Sequence, residues 1–319
     1  MYPLIAIVGS TASGKSELAL FLAETFSGEI VNYDSVQVFR YLNIGTAKPA
    51  PEEQHRVPHH MIDICEPTEI FTAGAYQREA RRVLDDIRQR RKLPILVGGT
   101  GLYLRALTQG LFNGPGRSLY WRNRLEMIGE RKGRAYLHRI LSRLDPAAAA
   151  RIAKRDKPKI IRALEVRLET GKTLSQHLGE KPRQPLAGFK VCYVGLNPPR
   201  EDLYRRIDER VRRMFNAGLV DEVRHLLARG IPPSAKPFEA IGYRHVLAEL
   251  DSCNALEETI RIIQRDTRRY AKRQMTWFRK QPDVTWFDGP GDSEQIKNNV
   301  RQFLQPFLSV GFPTPFLTF

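Results

Sequence analysis

An eight-residue segment near the amino terminus constrains this chain more than any other. It reads G-S-T-A-S-G-K-S and comprises Gly9, Ser10, Thr11, Ala12, Ser13, Gly14, Lys15 and Ser16. An apolar run at 4–8 precedes it and a helical pattern follows, which is the strand–loop–helix context of a phosphate-binding loop, or P-loop. Small residues let backbone N–H groups converge on an oligophosphate, which Lys15 would meet while Ser16 binds Mg²⁺. The loop predicts an oligophosphate ligand and leaves open what is done with it.

The rest of the chain alternates between short apolar runs and helical patterns. Further strands are predicted at 30–33, 94–97, 189–196 and 284–287, and a helix at 75–92. Such alternation indicates a parallel sheet with ligands at the carboxyl ends of its strands. We therefore expect an α/β fold: a P-loop parallel-sheet core with helices on both faces and a mostly helical insertion domain.

The insertion is predicted from a change of pattern after residue 112. Residues 113–188 are almost wholly helical in pattern and rich in arginine and lysine, and strand character returns only at 189. We predict a catalytic core domain at 1–112 and 189–319, and a basic helical insertion at 113–188 between the third and fourth strands.

The charge balance is unusual for a globular chain of 319 residues. The 51 lysines and arginines against 35 aspartates and glutamates give a formal net charge of +16, which favours polyanionic partners such as nucleic acid. We expect a cytoplasmic protein, because the first strand leads directly into the P-loop without a secretory signal. No apolar run approaches the roughly 20 residues that span a bilayer. Cys65, Cys192 and Cys253 indicate neither a disulfide framework nor a zinc site.

The residues that follow the predicted strands limit which reaction the P-loop could serve. A P-loop kinase or nucleotide hydrolase normally holds Mg²⁺ with a carboxylate at the end of a second apolar strand. Here the strand at 94–97 leads into Gly98-Gly99-Thr100, and the strand-end carboxylate is instead Asp34, after 30–33. From its position alone, Asp34 could bind Mg²⁺, cap a helix or act as a general base.

Several segments together resemble the bacterial tRNA dimethylallyltransferase family. They run in the family's order, and D-S-V-Q, G-G-T-G-L-Y and K-R-Q-M-T-W are the specific ones. The segments are 9–16, 34–37, 44–49, 58–63, 98–103, 161–166, 240–243 and 270–279.

The resemblance implies a reaction and a set of catalytic residues. The family transfers a dimethylallyl group from dimethylallyl diphosphate to the exocyclic amine of the adenosine immediately 3′ of the tRNA anticodon. Asp34 matches the general base, and Thr100 matches a contact of the reacting adenosine and Asp34, with a helix N-cap as its alternative role. Arg210 matches a second clamp on the diphosphate beside Lys15, with a solvated arginine on a basic helix as the alternative. Mg²⁺ on Ser16 is the implied cofactor.

The resemblance also implies tRNA contacts. Ser35 and Gln37 would hold the adenine or the base. Tyr243, Trp277 and Phe278 suit stacking on unpaired bases, with core packing as the alternative for Trp277 and Phe278. The residues that correspond to tRNA contacts are Asp34, Ser35, Val36, Gln37, Thr100, Arg122, Pro158, Lys159, Ile160, Ile161, Arg162, Gly242, Tyr243, Arg244, Lys272, Arg273, Gln274, Trp277 and Arg279.

Three other functions compete with tRNA prenylation. A prenyltransferase acting on free adenine nucleotides would share the P-loop and Asp34 but would not need so large a basic insertion. A P-loop kinase or NTPase is disfavoured by the Gly98-Gly99 strand end, and a non-catalytic RNA-binding protein by the intact P-loop and Asp34. Nothing in the sequence requires an oligomer, and we expect a monomer.

Overall fold

A computed structural model describes residues 1–112, 114–180, 184–252 and 256–309. The chain divides into two compact units, a P-loop unit of residues 1–108 and 186–319 and a helical unit of residues 109–185. The predicted boundaries were 112/113 and 188/189, and residue 113 itself lies outside the described residues. Within the described ranges, no helix is both long and apolar enough to cross a membrane.

The P-loop unit contains one six-stranded sheet. Its strands are β1 (Tyr2–Gly9), β2 (Gly28–Asn32), β3 (His59–His60), β4 (Leu93–Val97), β5 (Phe189–Leu196) and β6 (Val284–Phe287). They lie in the order β3-β2-β4-β1-β5-β6, and every pair is parallel. The two-residue strand β3 was not predicted, so the inserted helical segment lies between the fourth and fifth strands rather than between the third and fourth.

Fourteen α-helices and one 3₁₀ helix are found in the described residues. In chain order the α-helices are α1 (Lys15–Thr25), α2 (Pro51–Arg56), α3 (Ala73–Gln89), α4 (Gly101–Gln109), α5 (Leu119–Lys132), α6 (Arg134–Leu144), α7 (Pro146–Arg151), α8 (Lys157–Thr170), α9 (Leu174–Glu180), α10 (Arg200–Asn216), α11 (Leu219–Ala228), α12 (Ile241–Ser252), α13 (Leu256–Phe278) and α14 (Glu294–Ser309). The 3₁₀ helix spans Lys236–Glu239.

The central strand β1 is buried on both faces of the sheet, which explains why it is a continuous apolar run. Leu4, Ala6 and Val8 contribute to one hydrophobic cluster, with side chains of α3, α4 and α11–α13. The alternate residues Ile5 and Ile7 contribute to a second cluster, with side chains of α1 and α14. Helices therefore cover both faces, and the predicted fold class is confirmed.

The helical unit, which includes α5–α9, has a small core of its own. Leu125 of α5, Leu137 of α6 and Leu164 of α8 are buried in it. Two of its helices begin at aspartate caps, because Asp145 accepts from the Ala148 amide and Asp156 from the Lys159 amide. Basic side chains of this unit, including Arg124, Arg131 and Arg139, are exposed.

The thiols of Cys65 and Cys192 are free. Burial raises the pKa of Cys65 to about 12 and that of Cys192 to about 11, so both are unreactive at neutral pH. Cys253 lies outside the described residues.

Candidate active site

The P-loop connects the end of β1 to the start of α1. Ala12 and Gly14 both have positive φ, at 61° and 83°, and this left-handed backbone curls the loop back on itself. Lys15 follows immediately, is only 8% exposed, and donates from Nζ to the Ser10 carbonyl at 2.5 Å. The lysine therefore lies across its own loop, at the place where a phosphate would be held.

A second cation comes from α10. Arg210 is half-buried and donates from Nη1 to the Thr11 hydroxyl at 3.2 Å. Burial and the nearby charge of Arg210 lower the pKa of Lys15 to about 7, and burial also lowers the pKa of Arg210. Two cations that are poorly solvated and close together form a site in which a bound polyanion is strongly favoured.

The predicted Mg²⁺ ligand is the next residue, Ser16. It lies in the first turn of α1, is exposed, and lines the cavity described below. Among the described residues there is no group of three or more His, Cys, Asp or Glu side chains that could hold a metal. An ion here would take its other ligands from substrate phosphates and water, which is how Mg²⁺ is commonly bound.

Asp34 follows β2 on the other side of β4 from the P-loop strand. Its Oδ1 accepts from the Val36 amide at 2.8 Å and the Gln37 amide at 3.4 Å. A methyl group at Gly99 would lie 3.1 Å from Asp34 Oδ2, which places that oxygen against the turn after β4. One carboxylate oxygen therefore caps the backbone, and the other has no described protein donor.

Thr100 contacts the neighbour of Asp34 rather than Asp34 itself. Its hydroxyl accepts from the Ser35 amide at 2.9 Å and lies 3.1 Å from the Ser35 hydroxyl. The Thr100 amide also donates to the Tyr33 carbonyl at 3.3 Å. These bonds tie the segment after β2 to the turn after β4 and so fix where Asp34 lies.

Gln37 has a different structural role from the one predicted. Its amide nitrogen donates to the carbonyls of Thr46 and Ala47, both at 3.0 Å. Both N–H groups are therefore occupied by the 43–48 loop, and the predicted contact of Gln37 with the adenine or the base stays a prediction. Only the amide oxygen remains as a free acceptor.

One cavity of about 830 Å³ brings the P-loop and Asp34 together. Its walls include polar and charged side chains from β1–α1, the segment after β2, α10 and α13. These are Thr11, Lys15, Ser16, Asp34, Gln37, Arg206, Arg210, Arg213, Tyr270 and Gln274. A diphosphate at the P-loop and a planar base near Asp34 would occupy the same cavity.

Gln274 links the two halves of this cavity. Its Oε1 accepts from the Thr11 amide at 2.8 Å, and its Nε2 donates to the Gly99 carbonyl at 2.9 Å. The side chain is 6% exposed, and a methyl group at Gly99 would lie 2.6 Å from Nε2. Its amide therefore joins the P-loop to the turn that carries Thr100, and it is not free to contact RNA as predicted.

We expect Gln274→Ala to lower kcat about tenfold or more, because small misplacements of reacting groups are costly. Gln274→Glu is the matched variant: it keeps an acceptor for Thr11 but loses the donor to Gly99. Steady-state kinetics with a thermal melt separates misplacement from unfolding. Unchanged kcat in a folded Gln274→Ala variant would contradict the positioning role.

The predicted tRNA contacts differ in accessibility. In the helical unit, Ile160 and Ile161 are buried core residues, and Arg122 and Arg162 both bind the wholly buried Glu165. Pro158 and Lys159 are exposed. For the two isoleucines, any contact with RNA would have to be made by the backbone.

In the P-loop unit, Tyr243 is wholly buried and its hydroxyl donates to Glu222 at 2.6 Å. The prediction that Tyr243 stacks on an unpaired base is therefore wrong for this structure, and Gly242 beside it is also buried. Phe278 is 1% exposed and packs in the core, which is the alternative to base stacking given for it above. Trp277 is 41% exposed. The other exposed residues among the predicted contacts here are Arg244, Lys272, Arg273 and Arg279.

Comparison of the sequence with protein-family models identifies the family of this chain. The family model described as IPP transferase matches residues 37–281. The chain belongs to the IPP transferase family. The match begins just after Asp34 and ends just after α13, so it includes Thr100, Arg210 and Gln274, while the P-loop precedes it.

Individual IPP transferases are similar over nearly their whole length. The tRNA dimethylallyltransferase of Solibacter usitatus is 49% identical over 306 residues, which cover 96% of this chain and 99% of that protein. The enzyme of the same name from Koribacter versatilis is 49% identical over 95% of this chain and 98% of its own.

Solved structures agree with these sequence relatives. The full-length tRNA isopentenylpyrophosphate transferase of Bacillus halodurans is 38% identical, with a TM-score of 0.71 and 98% of each chain covered. A eukaryotic dimethylallyltransferase described as acting on tRNA is 28% identical, with a TM-score of 0.81 over 98% of this chain and 81% of its own.

Proposed function

We propose that this protein transfers a dimethylallyl group from dimethylallyl diphosphate to the exocyclic amine of the adenosine immediately 3′ of the anticodon in tRNA. The observation that carries the proposal is the single cavity with Lys15 and Arg210 at one wall and Asp34 at another. The named relatives, which are tRNA dimethylallyltransferases, support the choice of donor and acceptor.

The residues have complementary tasks in this reaction. The adenine nitrogen forms a bond to the first carbon of the allyl group, and the bond from that carbon to the diphosphate oxygen breaks. Asp34 accepts the proton from the amine, whose lone pair is otherwise delocalised into the ring; general-base help of this kind is worth about 10²–10⁴ in rate. Lys15, Arg210 and the P-loop amides stabilise the charge on the departing diphosphate. Mg²⁺ held by Ser16 would neutralise part of that charge.

The large positive charge has a corresponding task. A folded RNA is bound first through its phosphates, and its target base is then taken into a pocket. We assign phosphate binding in the helical unit to Lys159, and in the P-loop unit to Arg244, Lys272, Arg273 and Arg279. Arg122 and Arg162 remain predicted contacts, and in this structure their guanidinium groups bind Glu165. Of the three aromatic side chains predicted to stack on bases, Trp277 is the exposed one, and we assign base stacking to it.

We expect Lys159→Ala to weaken tRNA binding and to reduce the slope of log K against log salt by roughly one. The Lys159 side chain is 70% exposed and pairs with Asp156 at i−3. Arg82→Ala is the matched control, because Arg82 is 76% exposed and pairs with Glu79 at i−3 on α3. Binding titrations from low to high salt supply the slopes, and equal slopes for both variants would remove Lys159 from the contact surface.

The identity of the prenyl acceptor is tested with two alternative substrates. Labelled dimethylallyl diphosphate is incubated with the protein and either unmodified tRNA or AMP, and the products are digested to nucleosides. We expect label in an adenosine derived from tRNA. Label only in the AMP product would replace this proposal by the free-nucleotide prenyltransferase.

We further propose that the protein acts as a monomer and in the cytoplasm, where tRNA is modified. Lys15, Ser16, Asp34 and Arg210 line one cavity of a single chain, which supports catalysis by a monomer. Light scattering coupled to size exclusion at assay concentration tests the oligomeric state.

A further inference from the structure

Glu222, on α11, holds three consecutive backbone amides of the 43–48 loop. Its Oε2 accepts from Asn43 at 2.9 Å and Ile44 at 2.8 Å, and its Oε1 accepts from Gly45 at 3.2 Å. The hydroxyl of Tyr243, on α12, donates to the same Oε1 at 2.6 Å. The carboxylate is thus bound by three amides and a hydroxyl, which is an arrangement that anchors a loop rather than an ion pair.

The 43–48 loop is seated closely on Tyr243. A methyl group at Gly45 would lie 2.6 Å from two ring carbons of Tyr243 and 2.9 Å from Leu219 Cδ1. The loop also contains Ala47 in the left-handed region, at φ 47°. Such a backbone persists in a non-glycine residue only when its surroundings hold it there. Glu222 holds the start of the loop, and the Gln37 and Lys48 side chains hold the rest.

The other side of the loop is connected to Asp34. The Gln37 side chain donates to the Thr46 and Ala47 carbonyls, and the Gln37 amide donates to Asp34 Oδ1. A continuous series of hydrogen bonds therefore runs from Glu222 through the loop and Gln37 to Asp34. Asn43, Ile44, Thr46 and Ala47 line the same cavity as Asp34.

We propose that Glu222, together with Tyr243, is a positioning residue for the general base. By fixing the 43–48 loop it fixes Gln37, and through Gln37 it sets where the Asp34 carboxylate stands in the cavity. This inference rests on the proposed function, because it takes Asp34 to be the base. It assigns Tyr243 to the catalytic geometry instead of to base stacking.

The proposal predicts a particular pattern of kinetic losses. Glu222→Ala should lower kcat about tenfold to a hundredfold, since a misplacement of about 1 Å can cost that much. The KM for dimethylallyl diphosphate should stay within about twofold, because the described hydrogen bonds of Lys15 and Arg210 go to the P-loop and not to this loop. Glu222→Gln, which keeps one oxygen for Asn43 and Ile44, should recover part of kcat, and Tyr243→Phe should lose less than Glu222→Ala.

A double-mutant cycle with Asp34→Asn distinguishes positioning from mere stabilisation. If Glu222 acts through Asp34, adding Glu222→Ala to Asp34→Asn should lower kcat little further. If the kcat losses of the two single variants multiply in the double variant, the proposal is overturned. A wild-type kcat in Glu222→Ala would also overturn it, and so would wild-type kcat in both Glu222→Gln and Tyr243→Phe. Asp221→Ala is the matched control, since this neighbouring acid of α11 is exposed and pairs with Arg224.

The same assays separate this inference from the proposed function. A wild-type protein that transfers no prenyl group to tRNA would contradict the function itself. A wild-type protein that does transfer it, alongside an unaffected Glu222→Ala variant, would contradict only the positioning role.

Discussion

We expect Asp34→Asn to lower kcat for prenyl transfer by about 10²–10⁴ while leaving the affinities for tRNA and dimethylallyl diphosphate nearly unchanged. The substitution removes the charge that accepts the proton. It keeps an oxygen that can still accept from the Val36 and Gln37 amides, so the backbone cap is preserved. The loss should therefore appear in the chemical step, and single-turnover kinetics with saturating substrates measures that step.

A second carboxylate in the same cavity provides the control for this prediction. Glu17 lines the cavity from the first turn of α1 and is exposed. Glu17→Gln removes the same amount of charge but no proposed proton acceptor, so we expect kcat within a few-fold of wild type. Asp34→Asn activity within tenfold of wild type would exclude Asp34 as the base.

The second large effect is expected at Lys15. Lys15→Ala removes a poorly solvated cation from the place where negative charge develops on the departing diphosphate, and losing one such contact typically costs about 10²–10³ in kcat. Because the negative charge on the diphosphate grows while its bond to carbon breaks, the fold-decrease in kcat should exceed any fold-decrease in substrate affinity. Arg210→Ala should act in the same direction, since Arg210 contacts the same loop through Thr11.

Binding and chemistry can be measured separately for these variants. Equilibrium binding of diphosphate gives the ground-state contribution, and single-turnover rates give the transition-state contribution. An increase in KM with unchanged kcat would show that Lys15 only binds the substrate. That result would contradict its assignment to the leaving group, while tRNA affinity should remain at the wild-type value in either case.

Strands that are continuous apolar runs were predictable because a few neighbouring residues are enough to identify them. The strands at 189–196 and 284–287 are apolar runs bounded by breaking residues, and both have the predicted bounds. Strand β3 consists only of His59 and His60 and is too short to show any period. It exists because it pairs with β2, which is a tertiary contact.

The candidate site was predictable to the same extent. The P-loop pattern and the strand-end position of Asp34 identify residues that the parallel sheet then brings to one edge. The roles of Gln274 and Glu222 depend on partners 175 and 179 residues away along the chain, at Gly99 and Asn43. A single sequence contains no pattern that identifies partners so far apart along the chain. The sequence therefore predicts RNA contacts for Tyr243 and Gln274, whereas their side chains form hydrogen bonds within the protein.

The central claim is that this P-loop binds a leaving group and not a phosphoryl donor. The most direct test follows diphosphate release and label transfer from dimethylallyl diphosphate in one reaction with unmodified tRNA, with ATP supplied in a parallel reaction. The account predicts equal amounts of diphosphate released and prenyl group gained by the tRNA, and no phosphate released from ATP. Release of phosphate from ATP without prenyl transfer would contradict it.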